Sequence, residues 1–408
     1  MAAPCPLYHT ITAQLTAVTA PFGVPRPSLR RLALLITGLV AAQSTVLARI
    51  ALELFALHLT AATAPDSVNR RVRRTLSDPL LIAEECYEPA LRTVIAWPPA
   101  TPRHPLLLVI DESSKADVLH LFRISLPYWG TALPLVWTIW QQNVPLPQGA
   151  YWAMVETALD RLASLLPAGR CVCIVADRAY AVAPLLDRLT ARGWHWVIRI
   201  TTTGSHRFRD AHGREWALKA WLMRRVAGPG QQWKGRGAVL KAAGWRRVGL
   251  VASWARGEQE PLVVITDGPA RWQVLDRYAR RFWIEPGFRC DKTRGWQWEE
   301  SQVQGLAHHA VLLLAMAWAS LLALCLGVGE AQAALRRLAA RPLRGAPPHP
   351  RHARESVFTL GLRATRTRLY QRLRRPVRWR LPEISAISWS ERWHQAQADR
   401  VFSQTVRP

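Results

Sequence analysis

Lysine and acidic residues are both scarce in this sequence of 408 residues. Only five of the 54 basic residues are lysine, and the 28 Asp and Glu residues leave a formal net charge of +26. A GC-rich genome accounts for arginine in place of lysine, but it does not account for the shortage of acidic residues. Because a net charge of this size attracts polyanions, we expect a nucleic acid or an anionic membrane surface as the partner.

Cysteine motifs are also absent. The six cysteines form no Cys-x-x-Cys pair and do not lie beside histidines at zinc spacing, which argues against a zinc-ribbon protein and a disulfide-rich secreted domain. The first residues lack a basic stretch followed by an apolar one, so we expect no signal peptide and a reduced, cytoplasmic, nucleoid-associated location. Half of the residues are hydrophobic, which excludes disorder throughout the chain.

Long hydrophobic runs are rare, and residues 310–328 form the one that is close to the ~20 residues needed to cross a bilayer. The run is compatible with a single transmembrane helix or with the core helix of a large α/β domain. Hydropathy alone does not separate these alternatives. The motifs described below favour the core helix, and we expect no membrane partner.

Residues 1–100 are predicted to be helical and to form a DNA-binding domain. Two short helices with Gly38 near the break are compatible with a helix-turn-helix, and residues 69–74 (NRRVRR) add a basic cluster on a third helix. An ordinary helical bundle with a solvated basic face is the alternative. Residues 96–105 (AWPPATPRHP) have the composition of a linker.

The remaining chain changes character three times. Residues 104–200 are predicted to form three strands, a helix, a strand, a helix and a strand, which is a mixed α/β sheet. Residues 201–266 predict a mainly β insertion rich in tryptophan, and residues 267–330 return to helical periodicity. Residues 331–408 are Arg-rich, with 14 arginines and one acidic residue between 331 and 380; they form either a solvated tail or a surface for non-specific phosphate contacts.

Two buried strands are predicted to end in an aspartate, Asp111 and Asp177. Sites gather at the carboxyl ends of strands in open α/β sheets, and two close carboxylates repel unless a proton or a cation lies between them. Mg²⁺ prefers such oxygen ligands, and two ions would clamp the attacking and leaving oxygens of a phosphodiester. A third carboxylate is needed, and composition leaves five candidates: Glu112, Glu285, Asp291, Glu299 and Glu300.

A resemblance separates these candidates. Residues 278–292 (YARRFWIEPGFRCDK) match the Y-(2)-R-(3)-E-(6)-K signature of bacterial insertion-sequence transposases at all four residues and all three spacings. Over residues 105–328 the chain therefore resembles a DDE transposase. The resemblance implies a ribonuclease H-like mixed sheet flanked by helices, with a mainly β insertion and an N-terminal helical domain.

The resemblance also implies the role of each residue. Asp111, Asp177 and Glu285 match the metal ligands, so we expect two Mg²⁺ ions, with Mn²⁺ able to substitute. The residues that match contacts to the DNA backbone are Tyr278, Arg281 and Lys292, and Arg178 beside the second aspartate is expected to contact DNA as well. At helical spacing Tyr278, Arg281 and Glu285 share one face. In the family, one tryptophan of the insertion often stacks on a flipped base; the sequence does not show which of five tryptophans would do so.

The expected function is that of a transposase that cuts transposon ends and joins them to target DNA. The implied partners are double-stranded DNA and further copies of the chain, in a homodimer or higher assembly. The sequence departs from the family at Pro286-Gly287, where proline would kink the helix and displace Glu285 or Lys292, and at Glu112, which follows the first aspartate. The alternatives are a decayed DNA-binding relic and a basic protein with one membrane span.

Overall fold

The computed structural model describes residues 5–97, 100–116, 118–202, 206–339, 356–373 and 376–382. Most of the Arg-rich region predicted for residues 331–408 lies outside these residues. All six cysteines are free thiols.

The N-terminal region is helical, as the sequence predicts. Its helices are α1 (Pro6–Thr19), α2 (Arg26–Ala42), α3 (Leu47–Ala56), α4 (Pro65–Leu76), α5 (Ala83–Cys86) and α6 (Glu88–Val94). The axes of α2 and α3 differ by 95°, an angle found in helix-turn-helix motifs. Helix α4 buries Val68 and Val72 against the bundle and exposes the arginines of the basic cluster. DNA contact by this helix stays a prediction.

A mixed sheet forms the centre of the molecule. Its core strands are β1 (Leu106–Lys115), β2 (Leu119–Tyr128), β3 (Thr131–Gln141), β4 (Val172–Ala176) and β5 (His195–Arg199), in the spatial order β3-β2-β1-β4-β5. The first three strands are antiparallel neighbours, whereas β1, β4 and β5 are parallel. Helices α7 (Ala150–Leu165) and α8 (Ala183–Ala191) provide the parallel crossovers. The arrangement confirms the mixed α/β class and is consistent with a ribonuclease H-like core.

The insertion is mainly β, but it does not form a separate sheet. Its strands are β6 (Arg207–Arg209), β7 (Glu215–Ala217), β8 (Gln232–Val239), β9 (Arg246–Ser253) and β10 (Leu262–Thr266), with the short helix α9 (Leu218–Met223) between β7 and β8. Strand β10 pairs antiparallel with β5, so the described residues form one ten-stranded sheet in which β10-β9-β8-β6-β7 continues the core. Two insertion tryptophans, Trp221 and Trp233, pack edge to face with ring centroids 4.4 Å apart.

The helical part that follows covers one face of the core sheet. It contains α10 (Gln273–Ala279), α11 (Ile284–Arg289), α12 (Leu306–Ala339) and α13 (Val357–Tyr370). Helix α12 holds the apolar run and is long enough to cross a membrane, but the residues of its most apolar window are buried within the protein. A Cβ at Gly361 of α13 would lie 1.7 Å from the Ala323 carbonyl oxygen of α12, so the two helices depend on glycine for their close contact.

Candidate active site

The first two candidate aspartates lie side by side. Strands β1 and β4 pair in parallel from Leu106–Val172 to Val109–Val175, and continuing this register places Asp111 level with Asp177. Asp177 directly follows β4, as predicted. Asp111 lies within β1 rather than at its end, because β1 continues to Lys115 along β2 after its pairing with β4 has stopped.

Glu285 reaches the same place from the helical region. The chain there changes from α10 to a 3₁₀ segment, Arg280–Trp283, before α11 begins at Ile284. Pro286 therefore lies in the first turn of α11, where a missing backbone N–H leaves no hydrogen bond unmade. The expected displacement of Glu285 by the proline does not occur: Glu285 forms an i,i+4 ion pair with Arg281 at 2.7 Å.

The guanidinium group of Arg281 lies among the three carboxylates. Its Nη2 is 3.0 Å from an oxygen of Asp111 and 3.8 Å from one of Asp177, while its Nη1 donates a hydrogen bond to Glu285. The Arg281 and Asp111 side chains are each 14% exposed, whereas that of Glu285 is 50% exposed. The three predicted acidic residues thus converge on one cation at the surface of the sheet.

The electrostatics of this cluster follow from burial and close charges. Burial raises the pKa of Asp111 to about 6; Arg281 opposes the rise, and the carboxylates of Asp177 and Glu285 add to it. Burial by itself would lower the pKa of Arg281, but the surrounding carboxylates outweigh that effect and raise it. The position therefore stabilises positive charge.

Carboxylate oxygens are the donors that Mg²⁺ and Mn²⁺ prefer, so the chemistry of the three side chains fits a divalent cation. In the arrangement seen here the guanidinium, rather than open space, lies between them. Accordingly, no group of three or more His, Cys, Asp or Glu side chains in the described part of the chain is arranged to hold a metal ion. An ion would require Arg281 to move.

The other acidic candidates are engaged elsewhere. Glu112 points to the opposite face of β1, where it accepts hydrogen bonds from the hydroxyls of Tyr151 and Tyr180. Asp291 forms an ion pair with Arg123. Glu299 forms one with Lys292, and Glu300 forms one with Arg49. Of the five candidates, Glu285 is the one whose carboxylate joins Asp111 and Asp177 at Arg281.

The other three residues expected to contact DNA are Tyr278, Lys292 and Arg178. Tyr278 is 1% exposed, and burial raises the pKa of its hydroxyl to about 12. Lys292 lies 3.5 Å from Glu299 with its side chain 25% exposed. Arg178 is exposed in the 3₁₀ turn after β4. Contacts of these three residues with DNA stay predictions.

Sequence reasoning missed the support beneath the site. Arg123 of β2 lies opposite Asp111 in the β1–β2 register and forms a buried ion pair with Asp291. Its guanidinium also lies 4.1 Å from the centre of the Phe288 ring in α11. A single arginine within the apolar strand HLFRISL was the available signal, because a charge in a buried strand requires a partner.

Glycine allows α11 to lie this close to the sheet. A Cβ at Gly287 would be 3.2 Å from both the Ala132 carbonyl oxygen and an Arg123 nitrogen. Both residues of the Pro286-Gly287 departure thus have a structural explanation, one at a helix start and one at a close contact.

Comparison with protein families gives a match over part of the chain. Residues 153–322 match the family model described as a transposase DDE domain. The matched segment is less than half of the chain; it includes Asp177 and Glu285 and begins after Asp111. No curated protein matches the sequence.

Among solved structures, the chain is similar to one described as a piggyBac transposase synaptic complex with hairpin DNA. The identity is 11%, with 89% of this chain and 82% of that chain covered, and the TM-score is 0.39. A TM-score this low supports no statement about the site. The family model supports a relationship to DDE transposases.

Proposed function

We propose that this protein is a DNA transposase that cuts transposon ends and joins them to target DNA. The observation that carries the proposal is the convergence of Asp111, Asp177 and Glu285 on one cationic position. The match of residues 153–322 to the transposase DDE domain supports it, as does the net charge of +26.

In this proposal Asp111, Asp177 and Glu285 hold the Mg²⁺ ions, and Mn²⁺ can replace them. When bound, the ions activate the attacking oxygen and stabilise the leaving oxygen of a phosphodiester, first in hydrolysis and then in strand transfer. The match of residues 278–292, including Lys292, to the Y-(2)-R-(3)-E-(6)-K signature supports this proposal. Double-stranded DNA is the substrate, and a homodimer or higher assembly would hold two ends together.

The chain's own residues prepare the site. In the absence of DNA the single positive charge of Arg281 offsets part of the negative charge of three carboxylates, and a phosphate of DNA offers its guanidinium a bidentate anionic partner. Exchange of carboxylate for phosphate by Arg281 frees the acidic oxygens as DNA arrives. Lys292 exchanges Glu299 for phosphate in the same way, and exposed Arg178 adds a contact beside Asp177.

Plasmid nicking by the purified full chain with Mg²⁺ or Mn²⁺ tests the proposal. Asp111→Asn, Asp177→Asn and Glu285→Gln should each reduce nicking by at least about 100-fold, because each removes a charged oxygen donor. Glu112→Gln is the matched control, since it neutralises the adjacent residue on the opposite face of β1 and should leave nicking unchanged.

Two outcomes would contradict the proposal. Nicking that survives all three substitutions would show that other residues perform the chemistry. DNA binding by the wild type without cleavage, even of native transposon ends, would instead favour a DNA-binding protein whose catalytic site has decayed.

A further inference from the structure

The sheet face that holds the candidate carboxylates continues into the insertion. Residues opposite each other in a ladder point to the same face of a sheet. Continuing the β4–β5 register by one residue places Asp177 level with Arg199. Arg199 is paired with Val264 of β10, and Val264 is paired with Val251 of β9. Val251 is in turn paired with Lys234 of β8. Lys234 therefore faces the same side as the carboxylates.

Further basic residues lie on this side of the insertion. Arg236 follows Lys234 by two positions on β8, and Ala238, two positions further, is paired with both Arg247 of β9 and Arg209 of β6. We call these four cations the basic stripe: Arg209, Lys234, Arg236 and Arg247. All but Lys234 line a hollow of about 870 Å³ beside Gly249 and Trp245.

Three cations of the basic stripe, Lys234, Arg236 and Arg247, have no acidic partner among the residues that the structure describes, and the ammonium of Lys234 lies over Trp272 instead. Arg236 and Arg247 are exposed and form no ion pair there. The neighbouring Arg246 points to the other face and forms two hydrogen bonds, 2.9 and 2.8 Å long, with the carboxylate of Asp187. Adjacent arginines on one strand thus differ in whether the chain itself supplies their counter-charge.

The acidic residues at the hollow do not compensate for these charges. Asp210 accepts hydrogen bonds from two backbone amides and from the indole of Trp216. Asp267 pairs with His195 at 2.7 Å and accepts a hydrogen bond from the Trp196 amide. Both carboxylates are engaged within the fold, so neither is paired with Arg236 or Arg247, and these two guanidinium groups are accessible to an anion from outside the protein.

Aromatic rings are interleaved with the stripe. The guanidinium of Arg209 lies 4.3 Å from the centre of the Trp245 ring, and the ammonium of Lys234 lies 5.0 Å from that of Trp272. Trp245 has a φ of 56° at the β8–β9 hairpin, a left-handed conformation that is costly for a bulky residue. Cations that alternate with aromatic rings are typical of surfaces that bind a nucleic acid backbone.

We propose that the basic stripe is a second DNA-binding surface, on which Arg236 and Arg247 bind backbone phosphates. The identity of the ligand as DNA rests on the proposed function. Strand β8 is five strands from β1 in the sheet, and a spacing of about 4.8 Å per strand puts the stripe on the order of 24 Å from Asp111. The stripe therefore binds DNA away from the phosphate that is cut.

Salt-dependent binding of the full chain to a 30-base-pair duplex, in EDTA so that no cleavage occurs, tests the inference. Each phosphate contact contributes about 0.9 to the slope of log affinity against log salt. The double variant Arg236→Ala/Arg247→Ala should lower that slope by about 2 and weaken binding at 0.1 M salt by at least about tenfold. Arg246→Ala is the matched control and should bind as the wild type does.

The outcomes separate this inference from the proposed function. A wild type that cleaves DNA, with a double variant of unchanged slope, would overturn the basic stripe alone. Equal weakening by Arg246→Ala would also overturn it, because general loss of charge would then explain the effect. A wild type that binds no DNA would overturn both.

Discussion

Two arginines face acidic residues on the same side of the sheet, and they differ in access to solvent. The Arg123 side chain is 3% exposed and has one carboxylate partner, Asp291, which is 9% exposed. Arg281 is 14% exposed and has three partners, of which Glu285 is 50% exposed. The first pair is sealed and holds two elements together. The second is open, so its ions can exchange partners.

The difference predicts which residues tolerate substitution. A buried pair that loses one partner leaves an uncompensated charge in the interior, whereas an exposed carboxylate that is lost is replaced by water. Loss of one partner should therefore lower stability at the Arg123–Asp291 pair, whereas at the Arg281 cluster it should lower catalysis without a comparable loss of stability. The predictions below test that division.

The largest effect on stability is expected from Asp291→Asn. It leaves Arg123 buried and unpaired, which should cost about 3–5 kcal/mol of unfolding free energy, measured by urea denaturation. The double variant Arg123→Met/Asp291→Leu removes both charges and should recover most of the loss. Glu285→Gln should change stability by less than about 1 kcal/mol. Equal losses from Asp291→Asn and Glu285→Gln would remove the distinction between the sealed and open sites.

A pH-dependent effect on the order of 3 kcal/mol is expected at Asp111. Burial raises its pKa from 3.8 to about 6, so between these values the folded state binds more protons than the unfolded state. Stability therefore falls as the pH rises through this window, and the cost is fully present above pH 6. Asp111→Asn should be more stable than the wild type at pH 7.5, and the two should converge near pH 4.

Asp187 provides a control of opposite sign for that measurement. Its hydrogen bond to Arg246 lowers its pKa, so Asp187→Asn should lose stability at pH 7.5 and not below about pH 3. Urea midpoints across the pH range check both variants. An Asp111→Asn variant that is less stable than the wild type at pH 7.5 would show that the Arg281 pair outweighs the burial of Asp111.

A smaller effect concerns the contact that seals the first pair. Gly287→Ala adds a Cβ at 3.2 Å from the Ala132 carbonyl oxygen and from Arg123, and this crowding should cost about 1–3 kcal/mol. Gly329→Ala is the matched control: Gly329 is also helical, and a Cβ there meets nothing within 4 Å. The control should gain about 0.5–1 kcal/mol from helix propensity. Stabilisation by both changes would show that α11 has room to move.

Much of the core fold could be predicted from local pattern. The first helix and the last strand of the order expected for residues 104–200 are found at Ala150–Leu165 and His195–Arg199. Apolar periodicity determines such elements because each buries one face or one stripe. The pairing of β10 with β5 could not be predicted, since hydrogen bonds between distant segments leave no local signal. That pairing determines which face of the sheet carries the basic stripe.

The candidate site also has features that could be predicted from the sequence and features that could not. The proximity of Asp111 and Asp177 followed from the parallel strands that carry them. Glu285 came from the resemblance to a transposase signature, because composition left five acidic residues in competition. The position of Arg281 among all three carboxylates could not be inferred from its spacing. The four-residue spacing predicts its pairing with Glu285 but says nothing of two aspartates on other strands.

The smallest effect expected is a shift of the unfolding free energy by divalent ions. It distinguishes Arg281, which lies among the candidate metal ligands, from Arg123, which pairs with Asp291. Because binding to the folded state alone stabilises it, Mg²⁺ at ten times its dissociation constant should add about 1.4 kcal/mol to the unfolding free energy. Asp111→Asn should abolish this shift, and Arg281→Met should enlarge it because the competing guanidinium is gone. The Arg123→Met/Asp291→Leu variant should keep the wild-type shift. A shift that survives Asp111→Asn would place the ion elsewhere, and the open cluster would then be a salt bridge at the surface rather than a site for metal.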